Sequence, residues 1–494
     1  MEPPVTPAEV VLPDAGRRKL AGAYYTPAPL VDMAVEAALG PMAAARTTGE
    51  LQALRILDPA CGSGAFLQGA ARFLRRLPWG RDGAAISRML HGVDVDPRAL
   101  SACEAGLRTA ALAPPPGKLR RADWLLADPG GPWDLIVGNP PWVGCRSLPA
   151  ARKAELAARF DSARGQFDLF GCFLEGAARC LAPGGRASLI VPDRWLLNPD
   201  LEPLRRTLLA LVSLESVVRL GQGDFPSVQM PAASVVLRPG AAAGEVEVRE
   251  GPGGAVRRLS AARFAAWPEA RLPLHLGSRE LERAAGLLGS APALGACVSH
   301  GRGVELGKRS ALVTREPVPG SAPIRFGEDV DRYILHPPRH IRLGVEGVAY
   351  KSPSLHAGPK VLLRKTGHGL RAALDPSDTL VSQVVYVLQP SPGGPSAAYL
   401  VGALCSATMG FLHRARNGEA DKQAFPHLRQ TDVLALPLPR PGASSEARVS
   451  ALVESRMACR PGAKAQALEA ELDSLIAAAY GGATRSKKAR KPPR

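Results

Sequence analysis

The stretch LDPACGSGAFL, residues 57–67, constrains the fold more than any other part of this chain. An apolar run ends at Asp58, the backbone passes through Gly62 and Gly64, and helix-forming residues follow. That order is typical of a strand, turn and helix at the carboxyl edge of a parallel sheet, where glycines let the backbone approach a ligand. A dinucleotide fingerprint would continue with glycine or alanine at position 67, where Leu67 stands. The turn therefore predicts a nucleoside site without a pyrophosphate.

Acidic residues also end the next two apolar runs. Asp94 closes HGVDVD, where a carboxylate can bind ribose hydroxyls, and Asp123 precedes Trp124 in RADWLL. A carboxylate beside an aromatic face suits an adenine ring. Each acidic strand end alone is equally typical of a solvated turn or helix cap, but their succession at consecutive strands favours a ligand site.

In WDLIVGNPPW, an apolar, strand-like run is followed directly by Asn139, Pro140, Pro141 and Trp142. Two consecutive prolines hold a rigid, extended turn. We expect the Asn139 amide oxygen and the Pro140 carbonyl to act as fixed acceptors for a planar amine, with Trp142 stacking on the ring that bears it. Taken alone, the tetrapeptide is also compatible with an ordinary proline-rich turn.

The composition indicates which kind of partner the protein binds and which compartment it occupies. Lys and Arg exceed Asp and Glu by 17, which favours a polyanion such as nucleic acid. The eight cysteines are scattered without a C-x-x-C pair and are expected to be reduced. We find no uncharged apolar stretch of the roughly 18 residues that a membrane helix needs and no secretory layout at the N-terminus. A cytoplasmic protein without a membrane partner is expected.

In family order, the motifs GAYYTP, DPACGSGAF, GVDVDP, ADW and NPPW resemble those of the gamma-class DNA amino-methyltransferases, which methylate adenine N6 with S-adenosylmethionine. The resemblance implies that Asn139, Pro140, Pro141 and Trp142 are catalytic. It implies cofactor contacts at Thr26, Asp58, Ala60, Gly62, Gly64, Asp94, Asp123 and Trp124. Phe225, in GDFPSVQMP, matches an aromatic residue that covers the second face of the target base, opposite Trp142.

The resemblance, together with alternating apolar runs and helix-length segments from about residue 20 to 238, predicts an α/β fold. We expect a Rossmann-like methyltransferase sheet dependent on S-adenosylmethionine, followed by a C-terminal mixed α/β target-recognition domain. The predicted organisation is an extension (1–20), a catalytic domain (21–240), a linker or peripheral hairpin (241–256), a target-recognition domain (257–442), a helical segment (443–482) and a disordered basic tail (483–494).

Double-stranded DNA is the expected partner, with the target adenine rotated out of the duplex. About twenty residues precede the first motif, too few for a fused nuclease, so a separate cognate restriction endonuclease is a candidate partner. No metal is expected, because HPPRH lacks companion cysteines. Candidates for phosphate contacts in the C-terminal half are Arg302, Lys308, Arg309, Arg364, Lys365, Arg414, Arg416 and Lys422.

Two other functions remain compatible with the sequence. RNA and protein-glutamine methyltransferases share an Asn-Pro-Pro-aromatic site, although the long segment after the catalytic domain favours DNA. A DNA-binding specificity subunit with a degenerate methyltransferase fold is the non-enzymatic alternative, and the intact glycines and tetrapeptide argue against it.

Overall fold

The computed structural model describes residues 26–221, 223–224, 230–307, 312–418 and 427–489, with side chains as far as residue 481. The chain forms two compact units, Met1–Leu274 and His275–Arg494. Phe225, Lys308, Arg309 and Lys422 lie outside the described residues, as do the predicted extension and the first four residues of GAYYTP.

A mixed sheet organises the first unit. Its described strands are β1 (Ile56–Asp58), β2 (Leu90–Asp94), β3 (Leu119–Arg121), β4 (Trp133–Gly138), β5 (Leu181–Pro192), β6 (Val212–Leu220), β7 (Ala232–Pro239), β8 (Glu245–Glu250) and β9 (Arg257–Ser260). Their spatial order is β3-β2-β1-β4-β5-β7-β6-β8-β9. Strands β1 to β5 run parallel, and β7 is antiparallel to both β5 and β6. The predicted parallel α/β arrangement is confirmed, and the carboxyl ends of β1, β2 and β4 meet at one edge.

Helices cover the sheet. The described helices of this unit are α1 (Ala28–Ala45), α2 (Thr48–Gln52), α3 (Ala65–Arg75), α4 (Gly83–Met89), α5 (Pro97–Thr109), α6 (Ala150–Arg159), α7 (Leu169–Cys180), α8 (Glu202–Leu211) and α9 (Ala262–Ala265). By length and composition α1 could cross a membrane. Here it belongs to the core, because Leu30, Val35 and Leu39 are buried and the Ser188 hydroxyl of β5 donates to the Ala34 carbonyl at 2.7 Å.

The boundary of the first unit differs from the predicted one. Strand β8 lies inside the predicted linker or peripheral hairpin (241–256) and pairs in parallel with β6, while β9 pairs antiparallel with β8, which gives a hairpin. The unit ends at Leu274 rather than near residue 240. The reason is visible in EVEVRE, where Val246 and Val248 alternate with charged residues and are fully buried, as expected for a strand covered on one face.

The second unit is mixed α/β, as predicted. Its larger described sheets have the orders β10-β19-β16-β17 and β11-β15-β12-β18, and β13 and β14 form a hairpin. The strands are β10 (Val298–Arg302), β11 (Val313–Thr314), β12 (Ser321–Arg325), β13 (Val330–Asp331), β14 (Ile334–Leu335), β15 (Arg339–Arg342), β16 (Lys360–Arg364), β17 (Ala372–Asp375), β18 (Leu380–Val381) and β19 (Val385–Pro390).

Helices frame these sheets: α10 (Ser278–Leu288), α11 (Ala397–Leu404), α12 (Ala407–Arg416), α13 (Gln430–Leu434), α14 (Ala443–Met457) and α15 (Ala463–Ala489). Helices α14 and α15 are separated at Pro461-Gly462, where the sequence predicts a break. The predicted stop at the glycine pair 481–482 is wrong, because α15 continues through it into the predicted tail. Glycine lowers helix stability by only about 1 kcal/mol relative to alanine, which a long helix tolerates.

Candidate functional site at the carboxyl edge of the first sheet

Asp58 ends β1 and is 1% exposed. Its Oδ1 accepts a hydrogen bond from the Ala60 amide at 3.1 Å. Burial raises the pKa of Asp58 to about 8; the Ala60 amide opposes this rise, and the nearby Asp94 carboxylate adds to it. No ion pair joins Asp58 to a cation among the residues that the structure describes. Asp58 is thus a predominantly neutral polar group at neutral pH.

The glycine turn joins β1 to α3 through two left-handed residues. Gly62 has φ 52° and Gly64, the N-cap of α3, has φ 83°. A Cβ at Gly64 would lie 2.5 Å from the Cys103 sulfur, so no larger residue fits there. A Cβ at Gly62 would meet no described atom within 4 Å, so this glycine borders open space. The turn therefore presents bare backbone to open space.

Asp94 connects the second strand end to this turn. Its Oδ2 accepts from the Gly62 amide at 2.9 Å, and its Oδ1 accepts from the Asp96 amide at 2.9 Å. The sequence predicts this residue as a ribose contact. The structure brings it next to the glycine turn, as that role requires.

Asp123 and Trp124 have different environments. Asp123 Oδ1 accepts from the Leu125 amide at 3.1 Å, and Oδ2 forms an ion pair with Arg152 of α6 at 2.5 Å. Trp124 is 4% exposed and stacks on Phe173 with ring centroids 5.6 Å apart. The Asp123 carboxylate is partly exposed, whereas the Trp124 ring lies in the core. A role for Trp124 beside an adenine ring stays a prediction.

The Asn-Pro-Pro-Trp corner follows β4 and lies against the β1 turn. A Cβ at Gly138 would be 2.8 Å from Asp58 Oδ1, so the ends of β4 and β1 are in direct contact. The Asn139 Nδ2 donates to Thr26 Oγ1 at 3.1 Å, and Thr26 is 5% exposed. Asn139 Oδ1 is buried and has no hydrogen-bond partner among the described residues.

Pro140 is buried, Pro141 is half-buried, and Trp142 packs against the hydrophobic core of the first unit. The first and the fifth of the predicted motifs therefore meet through Thr26 and Asn139, 113 residues apart in sequence. Since a buried polar group normally finds a partner, the single unpaired acceptor on Asn139 marks a place for a ligand donor.

Four residues at this site were missed by the sequence analysis. Gly138 allows the contact between β4 and Asp58, Arg152 pairs with Asp123, and Asp168 forms an ion pair with Arg194. Asp168 lies in QFDLFGC, beyond the tetrapeptide, and belongs to none of the motifs named above. Nothing in local sequence spacing indicates which arginine meets which carboxylate.

The arginines and lysines predicted to contact phosphates in the second unit differ in how exposed they are. Arg302 on edge strand β10 and Arg414 on α12 are exposed, and Arg364 and Lys365 at the end of β16 are half-buried. Arg416 is 3% exposed, so its prediction as a surface phosphate contact is wrong. Helix α12 turns that side chain into the core, as it also does with His413.

Comparison with known proteins identifies the class. Residues 121–225 match the family model described as Eco57I restriction-modification methylase, and residues 322–438 match the TaqI-like C-terminal specificity domain. Each match covers less than half of the chain. The chain thus contains one region similar to a restriction-modification methylase and one similar to a specificity domain.

Curated proteins that are similar in sequence to this chain include type II methyltransferases. The chain is 29% identical to Type II methyltransferase M.TthHB8I of Thermus thermophilus over 287 residues, covering 56% of this chain and 60% of that protein. It is 39% identical to Type II methyltransferase M.XhoI of Xanthomonas vasicola over 124 residues, 24% of this chain and 23% of that protein. The chain is related to type II methyltransferases and matches less than two thirds of the length of these relatives.

Solved structures share the fold. The type IIL restriction-modification enzyme MmeI, solved in complex with DNA, superposes with a TM-score of 0.65 at 12% identity, over 95% of this chain and 77% of that one. The DrdV–DNA complex gives a TM-score of 0.53 at 12% identity, over 90% and 58%. The expected methyltransferase fold is confirmed.

Proposed function

We propose that this protein transfers a methyl group from S-adenosylmethionine to the N6 amine of an adenine in duplex DNA, as the modification component of a restriction-modification system or as a solitary methylase. The observation that carries the proposal is the geometry of Asn139. Its Nδ2 is committed to Thr26, and its buried Oδ1 is left without a protein donor. An exocyclic amine is a donor that would complete this site.

The cofactor pocket fits a sulfonium nucleoside on two features of this chain. Gly62 borders open space at the point where α3 begins, and Asp58 and Asp94 end adjacent parallel strands around it. Asp94 would hold the ribose, Asp123 the adenine amine, and Thr26, Ala60 and Gly64 the neighbourhood of the methionine part. S-adenosylmethionine, when bound there, supplies an electrophilic methyl group on sulfur.

The residues of this chain would contribute positioning and hydrogen bonding. Asn139 Oδ1 and the Pro140 carbonyl would accept both protons of the target amine, which turns the nitrogen lone pair toward the methyl carbon. One carbon–sulfur bond breaks and one carbon–nitrogen bond forms, and the excess proton on nitrogen leaves to solvent. Holding the two reacting groups in line supplies most of the rate acceleration in such a transfer. No ionisable base is needed.

Base stacking would stabilise the rotated adenine. Extracting a base costs a few kcal/mol, and an aromatic residue recovers about 1–3 kcal/mol per stacked base. Trp142 would contact one face and Phe225 the other. The second unit would select the DNA sequence, since it contains the match to a specificity domain and exposed arginines such as Arg302 and Arg414.

The test is methyl incorporation from tritiated S-adenosylmethionine into three substrates: unmethylated genomic DNA, total RNA and protein extract. We expect label in duplex DNA, recovered as N6-methyladenine after digestion to nucleosides. Asn139→Ala should lower the transfer rate about 10²–10³-fold, as expected for loss of one fixed hydrogen-bonding group. Asn198→Ala, which removes an asparagine outside the site, should retain the rate.

The same experiment separates the alternatives. Label confined to RNA or to glutamine in protein would replace the DNA substrate by one of those two. DNA binding without any methyl transfer would support the specificity-subunit alternative. Transfer to DNA that survives in Asn139→Ala would show that the unpaired oxygen does not bind the target amine.

A further inference from the structure

The loop that follows the catalytic tetrapeptide is attached to the start of α7. The Cys145 amide donates to the Phe167 carbonyl and the Leu169 amide donates to the Val143 carbonyl, both at 2.9 Å. Gly144 and Asp168 form an antiparallel bridge between these two hydrogen bonds. The backbone immediately after Trp142 is therefore fixed by the segment around Asp168.

Asp168 is the N-cap residue of α7, yet its side chain makes no capping hydrogen bond. Aspartate at an N-cap normally accepts from the amides of the first turn and stabilises the helix by about 1 kcal/mol. Here the carboxylate forms an ion pair with Arg194 at 2.5 Å instead. Asp168 is 5% exposed, so this pair is largely withdrawn from solvent on the carboxylate side.

The same carboxylate lies against the catalytic loop. A Cβ built on Gly144 would be 3.2 Å from Asp168 Oδ1, closer than most Cβ contacts. Gly144 has φ −74° and ψ 148°, values open to any residue, so this glycine is not required by the backbone. A side chain at this position would require the Asp168 carboxylate to shift.

Arg194 occupies a turn that is itself anchored. It follows β5 in the 3₁₀ turn Asp193–Leu196, and the neighbouring Asp193 forms an ion pair with Arg219 of β6 at 3.3 Å. The Arg194 side chain is 39% exposed, and its buried Nε has no hydrogen-bond partner among the described residues. The pair thus connects the loop after Trp142 to the rigid end of β5.

We propose that Asp168 and Arg194 are positioning residues that hold the loop 143–145, and with it the Asn139–Trp142 corner, in the geometry required for methyl transfer. This inference rests on the proposed function. The Asp168 side chain does not cap α7 but contacts the loop. Loss of the ion pair should therefore displace the loop more than it destabilises α7. Neither residue is expected to touch the cofactor or the target base.

The test compares Arg194→Gln with Arg194→Lys and with the matched control Arg206→Gln, which removes an exposed i,i+4 pair with Glu202 on α8. Single-turnover methyl transfer to unmethylated DNA should fall about 10–100-fold in Arg194→Gln, since displacement of reacting groups by about 1 Å costs up to 10² in rate. Cofactor affinity, measured by calorimetry with S-adenosylhomocysteine, should stay at the wild-type value. Arg194→Lys should recover part of the rate, and Arg206→Gln should keep all of it.

The pH profile gives a second readout. Burial raises the pKa of Asp168, Arg194 lowers it, and the Asp200 carboxylate raises it. Protonation of Asp168 breaks the pair, so the wild-type transfer rate should fall at acidic pH, and this fall should be lost in Arg194→Gln, where no pair remains. Asp168→Asn should lack the acidic fall as well. Arg194 is the only cation, and Asp200 the only other ionisable group, that acts on this carboxyl among the described residues.

Gly144→Ala probes the contact from the loop side should the charge variants unfold. The added methyl group should press on Asp168 and lower the transfer rate without changing the melting temperature. Wild-type transfer rates in both Arg194→Gln and Gly144→Ala would overturn the inference. Loss of cofactor binding in proportion to the rate would also overturn it, by showing a general structural role. Absence of methyl transfer in the wild type would contradict the proposed function instead.

Discussion

A buried ion pair of the second unit and the candidate site of the first unit differ in how their buried polar groups are paired. In the second unit Lys360 and Asp375, at most 1% exposed at the side chain, lie 3.5 Å apart between Nζ and Oδ2, and Asp375 Oδ1 also accepts from the Ser377 hydroxyl at 2.6 Å. In the first unit Asp58 has no cation partner and Asn139 Oδ1 has no donor among the described residues. The Lys360–Asp375 pair joins two strands of the second unit. The buried oxygen of Asn139, by contrast, has a place for a hydrogen-bond donor from a ligand.

The largest effect should come from breaking the buried pair of the second unit. Among the described residues, Lys360→Met leaves Asp375 with Arg325, at 3.8 Å, as the remaining nearby cation, and loss of one partner of a buried pair costs about 3–5 kcal/mol. All six tryptophans lie in the first unit, so their fluorescence reports that unit alone. Urea unfolding should show an earlier transition by circular dichroism and an unchanged one by tryptophan fluorescence.

The control for that variant is Lys351→Met, which removes an exposed lysine paired with Glu305 at 2.8 Å. Exposed pairs contribute at most about 1 kcal/mol, so its unfolding curve should nearly overlay the wild type. Equal losses from both lysine variants would contradict the distinction between the buried and the exposed pair.

A smaller effect should follow from removing the hydroxyl that orients Asn139. In Thr26→Val the partly buried Nδ2 loses its acceptor, a change that costs about 1–3 kcal/mol. Because the amide can then rotate, we expect methyl transfer to fall about 10–100-fold, while Thr26→Ser stays near wild type. The measurement is the single-turnover rate beside the melting temperature. A drop in melting temperature with an unchanged rate would assign the Thr26 contact to stability alone.

The smallest effect concerns Asp58 and pH. Its pKa is about 8 in the folded protein and about 3.9 when unfolded, so the folded state holds the proton more tightly. The stability contributed by the neutral carboxyl is complete below about pH 4 and is lost as pH rises through 8. Between pH 6 and 7 the wild type should lose about 1.4 kcal/mol relative to Asp58→Asn. Parallel stability curves, from urea unfolding followed by tryptophan fluorescence, would show that Asp58 is ionised in the fold.

Features that rest on consecutive residues could be predicted from the sequence, whereas contacts between distant elements could not. The strand ends, the glycine turn and the corner could be predicted because each rests on a few consecutive residues. For residues 241–256 the sequence left a linker or a peripheral hairpin open, and β8 forms a hairpin with β9 that extends the sheet. Pairs such as Asp168 with Arg194 and Asp123 with Arg152 could not be found, because they join separate elements across the fold. Burial of Arg416 was equally invisible, since α12 carries basic residues on both its exposed and its buried faces.

The central claim is that the β1 turn and the Asn139 corner border one ligand. A crystal structure of the full chain with S-adenosylhomocysteine tests it most directly. We predict the ribose within hydrogen-bond distance of Asp94, the adenine at Asp123, and the sulfur turned toward Asn139. A ligand bound elsewhere, or one whose sulfur points away from Asn139, would contradict the account.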